Sequence, residues 1–192
     1  MDVSVITPTV PSRRDLLLNR CIPSVKAQTI PVEHIIVCDG PLEESIEGVL
    51  ELSRNWRAFL DLGAKGAFAR HIGCAIAKGR WICYLDDDNE YLPHHVETLL
   101  NAVERAGTKA GWSKGINVEA NCYIGDTSTP RLGNIDTSSI IHSPELFKYR
   151  NWMKVAEIGR YEEDWVLVSG WLEHGVEFTW VDEVTYKYYK NS

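Results

Sequence analysis

The sequence predicts an α/β fold in one domain spanning 1–192: a mostly parallel central sheet with helices on both faces. Three observations carry that expectation. Short apolar, β-branched runs alternate with helical stretches over roughly the first hundred residues, as parallel strands joined by crossover helices require. Polar clusters follow directly on three of those runs. The composition, 44% hydrophobic and 24% charged over 192 residues, is that of a globular chain long enough for one core. No repeat, low-complexity segment or linker divides it.

The elements follow in order. Val3–Thr7 is a β-branched run that meets Pro8 and reads as a strand entering the loop 8–12. Residues 13–26 place Leu16, Leu17, Cys21 and Val25 toward one side of a helix, with Pro23 weakening its last turn. His34–Asp39 is a second buried strand, stopped by Asp39-Gly40-Pro41. A helix is expected over 42–54, a weak strand over 56–62, and a glycine-rich turn at Gly63 and Gly66. Residues 67–78 carry Phe68, Ile72, Ala75 and Ile76 at helical spacing before the stop signal Gly79. Trp81–Leu85 is an almost wholly apolar strand, and Pro93 opens a helix that runs to Ala106 and Gly107. Beyond it, 110–119 and 135–141 read as strands around the polar stretch 121–133. Ser143-Pro144 starts a helix, 162–174 is another, and 176–181 with 184–189 read as a hairpin.

Charge and cysteines exclude several classes. The net charge of −7 argues against general nucleic-acid binding, which needs clustered Lys and Arg. It also means that an anionic ligand requires a metal ion or a few well-placed basic groups. The five cysteines are odd in number and lack C-x-x-C spacing, so buried thiols are expected rather than disulfides or zinc. No apolar run approaches the ~20 residues of a membrane helix, and the opening Met1–Thr7 lacks a secretory pattern, so a cytoplasmic location is expected. No nucleophile-elbow, zincin or Walker A pattern occurs, and the histidines show no metal spacing, with His94-His95 expected at an exposed helix start.

In parallel α/β sheets ligands bind beyond the carboxyl ends of the strands. Thr7-Pro8-Thr9, Asp39 and Asp86-Asp87-Asp88 all fall there, so they should share one edge. Three adjacent carboxylates repel one another and suit a hard divalent ion such as magnesium or manganese. The same run also reads as a solvated acidic turn ahead of a helix. Asp39 suits a turn cap or an acceptor for a nucleotide base N–H. Arg70, at the start of a helix, could meet a phosphate or hold an acidic strand end. Glu162-Glu163-Asp164 opens another helix, where acids are favoured by the dipole, and Asp164 becomes a general-base candidate if it faces the same edge.

Taken together, these motifs resemble glycosyltransferase family 2, inverting enzymes with the Rossmann-like GT-A fold. The resemblance is carried by Val3–Thr9, Cys38-Asp39-Gly40, Gly66–Gly73, the DxD-like Gly79–Asn89 and Glu163-Asp164, in that order along nearly the whole chain. It implies a nucleotide-sugar-binding half, 1–107, and an acceptor-binding half, 108–192. It implies that Pro8, Thr9 and Asp39 hold the uracil and ribose of a UDP-sugar, and that Arg70 supports phosphates or the acidic loop. Asp86 or Asp87 would contact the ribose, Asp88 would ligate Mn2+ or Mg2+, and Asp164 would be the base. Asp136 and Glu163 fall on the acceptor side. Two departures stand out: His71 where the family often has Asn, and 184–189 without the histidine that many GT-A enzymes add as a metal ligand. The rival readings are a nucleotide-sugar-binding module that has lost transfer, and a sugar-1-phosphate nucleotidylyltransferase, whose glycine-rich first loop is missing from 8–12. The stretch 112–131 offers no motif for the sugar or the acceptor. Among Trp112, Tyr123, Trp152, Trp165 and Trp171, more should be core than sugar platform.

Overall fold

A computed structural model describes residues 1–53 and 66–190. The β-branched runs form the expected strands. β1 (Val3–Thr9) pairs in parallel with β2 (Glu33–Cys38) on one side and with β4 (Trp81–Tyr84) on the other. β3 (Val49–Glu51) extends the sheet in parallel beside β2. The other strands are β5 (Glu90–Tyr91), β6 (Ala110–Asn117), β7 (Cys122–Ile124), β8 (Ile140–His142) and β9 (Phe178–Tyr188). The sheet order is β3-β2-β1-β4-β8-β6-β9-β5, with β7 against β6. β8 is antiparallel to both β4 and β6, whereas β6 and β9 lie parallel over their whole paired length.

Alternation along the strands builds two core layers, because successive side chains point to opposite faces. Ile6, Ile35, Val37, Ile82 and Tyr84 face one layer. It is closed by the helices α2 (Ala67–Ile76), α4 (Trp152–Ile158) and α5 (Glu163–Leu172). Val3, Val5, Ile36, Trp81, Cys83 and Leu85 face the other, against the helical run α1 (14–26) and α3 (His95–Ala106). α2 lies hard against β1: a Cβ on Gly73 would stand 2.5 Å from Ile6 Cγ2, so a side chain there would push the helix off the sheet. Trp112, Trp152 and Trp171 are fully buried, as expected of core aromatics, while Tyr123 is exposed. Among the described residues no helix is long and apolar enough to cross a membrane.

Several expectations are corrected. β1 continues through Pro8 to Thr9: pairing with β2 runs on to Thr9↔Cys38, while pairing with β4 ends at Ile6↔Tyr84, so the missing Pro8 N–H interrupts no ladder there. α1 survives Pro23: its middle turn, Leu17–Cys21, is a π-helix, and that widening accommodates the ring without ending the helix before Lys26. No helix forms over 42–53. The glycine and proline at 40 and 41 start a turn-rich segment that ends in β3, and the expected strand over 56–62 lies outside the described residues. The 135–141 strand is shortened to β8, since Asp136 caps the 3-10 turn Thr137–Ser139 instead. Pro144–Lys148 is likewise a 3-10 turn. The expected hairpin is one long strand, β9, whose register against β6 slips around Ser113, Lys114 and Gly115, so Asp182-Glu183 is a bulge rather than a turn. His95 is fully buried, its Nδ1 2.7 Å from Thr185 Oγ1 and its ring stacked on Tyr91, against the expectation of an exposed pair. Cys21, Cys38 and Cys83 are buried free thiols, and Cys122 is exposed.

Candidate active site

The strand order creates the site. From β1 the chain steps outward through β2 to β3, then returns to β4 on the opposite side of β1. At such a switch point the connections leave in opposite directions and open a crevice at the carboxyl ends of the strands. A cleft of about 530 Å3 lies there, lined by Pro8, Thr9, Asp39, Arg70 and Asp86 to Asp88. The clusters expected from sequence to share one edge therefore meet there, with Arg70 beside them. Arg13, Tyr161, Tyr188, Tyr189 and Lys190 line the same cleft and carry no sequence signal beyond residue type.

Each acid of the run has its own partner. Thr9 Oγ1 donates to Asp87 Oδ2 at 2.6 Å, tying the end of β1 to the loop after β4. Arg13 Nη1 donates to Asp87 Oδ1 at 3.0 Å and to Asp88 Oδ2 at 2.7 Å. Arg20, on the π-turn of α1, donates to the Asp88 carbonyl at 2.6 Å. Asp39 continues the edge, its N–H bonded to the Thr9 carbonyl at 2.8 Å. Burial and the neighbouring Asp86 charge push the Asp88 carboxyl up to about 6, against the pull of Arg13.

Asp86 is held differently. Gly66, at φ +81°, turns the chain into α2, and a Cβ there would stand 3.1 Å from Arg70 Nη1. Arg70, almost fully buried, lies under the face of Trp152 and donates from Nη2 to Asp86 at 2.5 Å. Its Nη1 donates to Glu163 Oε2 at 2.8 Å. Burial opposes the guanidinium charge, but the two carboxylates outweigh it and keep Arg70 charged. One buried cation thus joins the loop after β4 to the first turn of α5.

Two further acids approach from the second half. Asp164 Oδ1 accepts from the Trp165 N–H at 2.6 Å, and burial pushes its carboxyl up to about 6. Asp136 accepts from the Ser138 N–H at 2.9 Å; burial first, then the Asp86 and Asp164 charges, push it up to about 8. The Asp86 charge raises both, and Asp164 raises Asp136, so the three lie within electrostatic reach, although neither Asp136 nor Asp164 lines the cleft mouth. Glu163 is turned to Arg70, so it serves that bridge and is buried away from solvent.

Among the described residues no three His, Cys, Asp or Glu side chains converge into a metal cage. The donor chemistry nevertheless fits a single-carboxylate site. Asp88 is a hard oxygen donor on the cleft wall, and repulsion from Asp86 gives it a need for a cation that Arg13 meets only in part.

Comparison with known proteins gives this edge a context. Residues 4–147 match the family described as glycosyl transferase family 2. The uncharacterized glycosyltransferase YibD of Escherichia coli (strain K12) is 25% identical over 94% of this chain, which spans 55% of that relative's length. Among solved structures, S. aureus TarS superposes with a TM-score of 0.74 at 13% identity, over 99% of this chain and 37% of TarS. TarS 1–349 in complex with UDP-GlcNAc gives 0.71 at 16% identity, over 100% of this chain and 59% of that one. The structural matches bear on the fold, a GT-A-type sheet. The match over 4–147 covers most of the chain, including Thr9, Asp39, Arg70 and Asp86 to Asp88, and on that ground the chain belongs to glycosyltransferase family 2.

Proposed function

We propose that this chain transfers a sugar from a UDP-linked donor to an acceptor hydroxyl, with inversion at the anomeric carbon. The observation that carries the reading is the Asp86–Arg70–Glu163 bridge, which fixes Asp164 relative to the acid run at the mouth of the cleft. Under this reading 1–107 is the donor half and 108–192 the acceptor half. Pro8, Thr9 and Asp39 take the uridine, and Asp86 and Asp87 face the ribose. TarS, whose structures include complexes with UDP and UDP-GlcNAc, supports a uridine nucleotide as the first ligand to try.

Asp164 is the general base. A carboxyl raised to about 6 is ionised at neutral pH yet close enough to an alcohol's needs to accept its proton in the transition state. Asp136 borders it and is protonated at neutral pH, so it offers an O–H that can orient the acceptor. Asp88 would hold Mn2+ or Mg2+, which supplies charge neutralisation for the departing diphosphate when bound. Most of the remaining catalysis is positioning of two reactants along one line.

Calorimetric titration with UDP, with and without manganese, on the wild type and on Asp88→Ala tests the nucleotide site. Metal-promoted binding that weakens in the variant is expected. Failure of UDP and of other nucleotides to bind the wild type would return the acid run to an ordinary helix-leading turn. Binding without transfer or slow donor hydrolysis would mark a module that has lost catalysis.

A further inference from the structure

The cleft has a charge problem that its geometry answers. Four carboxylates line it, the whole chain carries −7, and a diphosphate adds further negative charge. Three basic side chains border the same cleft: Arg13, Arg70 and Lys190. Arg70 is pinned, with only 5% of its side chain exposed and one nitrogen committed to each of Asp86 and Glu163. Lys190 sits beyond the end of β9, its backbone N–H bonded to Glu119 Oε2, at the far rim. Arg13 is different on every count. Its backbone is fixed by the 3-10 turn Pro11–Arg13, where its N–H meets the Val10 carbonyl, but 40% of its side chain is exposed. Both of its acid contacts are made from the single nitrogen Nη1. A guanidinium has five donors in a rigid fork that matches phosphate oxygens.

We infer that Arg13 is a donor-positioning residue that exchanges partners: it neutralises Asp87 and Asp88 while the cleft holds no anion, and turns to the donor's diphosphate when the nucleotide enters. The exchange releases the Asp88 carboxylate at the moment the phosphates arrive. Thr9 and Arg70 keep Asp87 and Asp86 in place meanwhile, so the loop need not move. The inference rests on the nucleotide reading above and extends it to the order of events: a divalent cation should bind poorly before the nucleotide, because Arg13 already occupies its carboxylate.

The consequence is testable without turnover. In Arg13→Gln the cation on Asp88 is removed, so nucleotide-free Mn2+, followed by electron paramagnetic resonance, should bind about tenfold more tightly. The same variant, titrated in chelator, should lose about tenfold of the wild type's preference for UDP over uridine, since only UDP presents the diphosphate. Arg13→Lys keeps the charge and should recover most of that preference, which separates the lost guanidinium from a damaged fold. Unchanged Mn2+ affinity in Arg13→Gln, or an unchanged UDP-to-uridine ratio, overturns the inference while leaving the nucleotide site standing. A wild type that binds neither UDP nor uridine overturns both readings together.

Discussion

Two sets of carboxylates face one sheet edge, and they are neutralised in opposite ways. Asp86, Asp87 and Asp88 are met by side-chain donors: Arg70, Thr9 and Arg13. Asp136 and Asp164 are met by backbone N–H groups at the starts of short helical turns, Ser138 and Trp165. The first arrangement pins its acids in place, although burial still lifts Asp88 to about 6. The second leaves burial only partly compensated, so the carboxyls rise to about 8 and about 6 and can hold or take a proton near neutrality. Arg70 bonds Asp86 of the first set and Glu163, the chain neighbour of Asp164 in the second. The difference separates acids pinned by side chains from acids capped by backbone at a single edge.

The comparison breaks most sharply at Asp164. Asp164→Asn removes the basic oxygen but keeps the shape and the Trp165 contact, so transfer should fall by about 10^2 to 10^4-fold. Calorimetry on the same variant should find UDP affinity close to wild type, because the donor-side acids keep their partners. Transfer within a few-fold of wild type would remove Asp164 from the base role. Next in size is Arg70→Ala, which leaves buried Glu163 and half-buried Asp86 without their shared cation. Breaking such a pair costs about 3–5 kcal/mol, and urea unfolding should read that loss. Arg70→Lys should recover only part of it, since an ammonium cannot span both carboxylates as the fork does.

The edge formed by β1, β2 and β4 was legible in the sequence because everything there is local. A β-branched run ends, a polar residue follows, and the parallel topology brings Thr9, Asp39 and Asp86 together without further instruction. The second half was not, because its elements depend on partners distant in the chain. β9 reads as two strands until β6 is beside it, and Asp182-Glu183 looks like a turn until the bulge is seen. His95 looks exposed on its helix until Thr185 and Tyr91 enclose it. The helix expected over 42–53 lost to a glycine-proline turn whose strand pairs with β2. Arg13 and Arg20 reach the acid run across long sequence separations, and nothing in a basic residue's neighbours announces such a contact.

A pH profile sharpens the contrast more gently. On the proposed reading Asp164 works as the base when ionised, and its folded value is about 6, above the ordinary carboxylate range. Transfer at saturating donor should therefore be flat through neutrality and fall by about tenfold per unit as pH drops below about 6. An acid limb near 4, the value of an ordinary aspartate, would mean that the titrating group is not this buried one.

The smallest effect should come at Asp136, and its smallness is the point. A carboxyl raised to about 8 carries its proton at neutral pH, so Asn, which also presents a donor and an acceptor, is close to its working form. Asp136→Asn should leave transfer within about threefold of wild type, the low end of one hydrogen bond. Asp136→Ala should do worse, because it also strips the cap from the turn Thr137–Ser139, a loss of about 1 kcal/mol. Stability offers an independent reading with a definite sign. Folded Asp136 keeps a proton that the unfolded chain releases above about 3.9, so raising pH from there toward about 8 disfavours the native state of the wild type. Asn has nothing to release, so the variant should gain on the wild type across that window and stop gaining above it. A variant that gains nothing with pH would show Asp136 ionised in the folded protein, and backbone capping would then not leave this buried acid its proton.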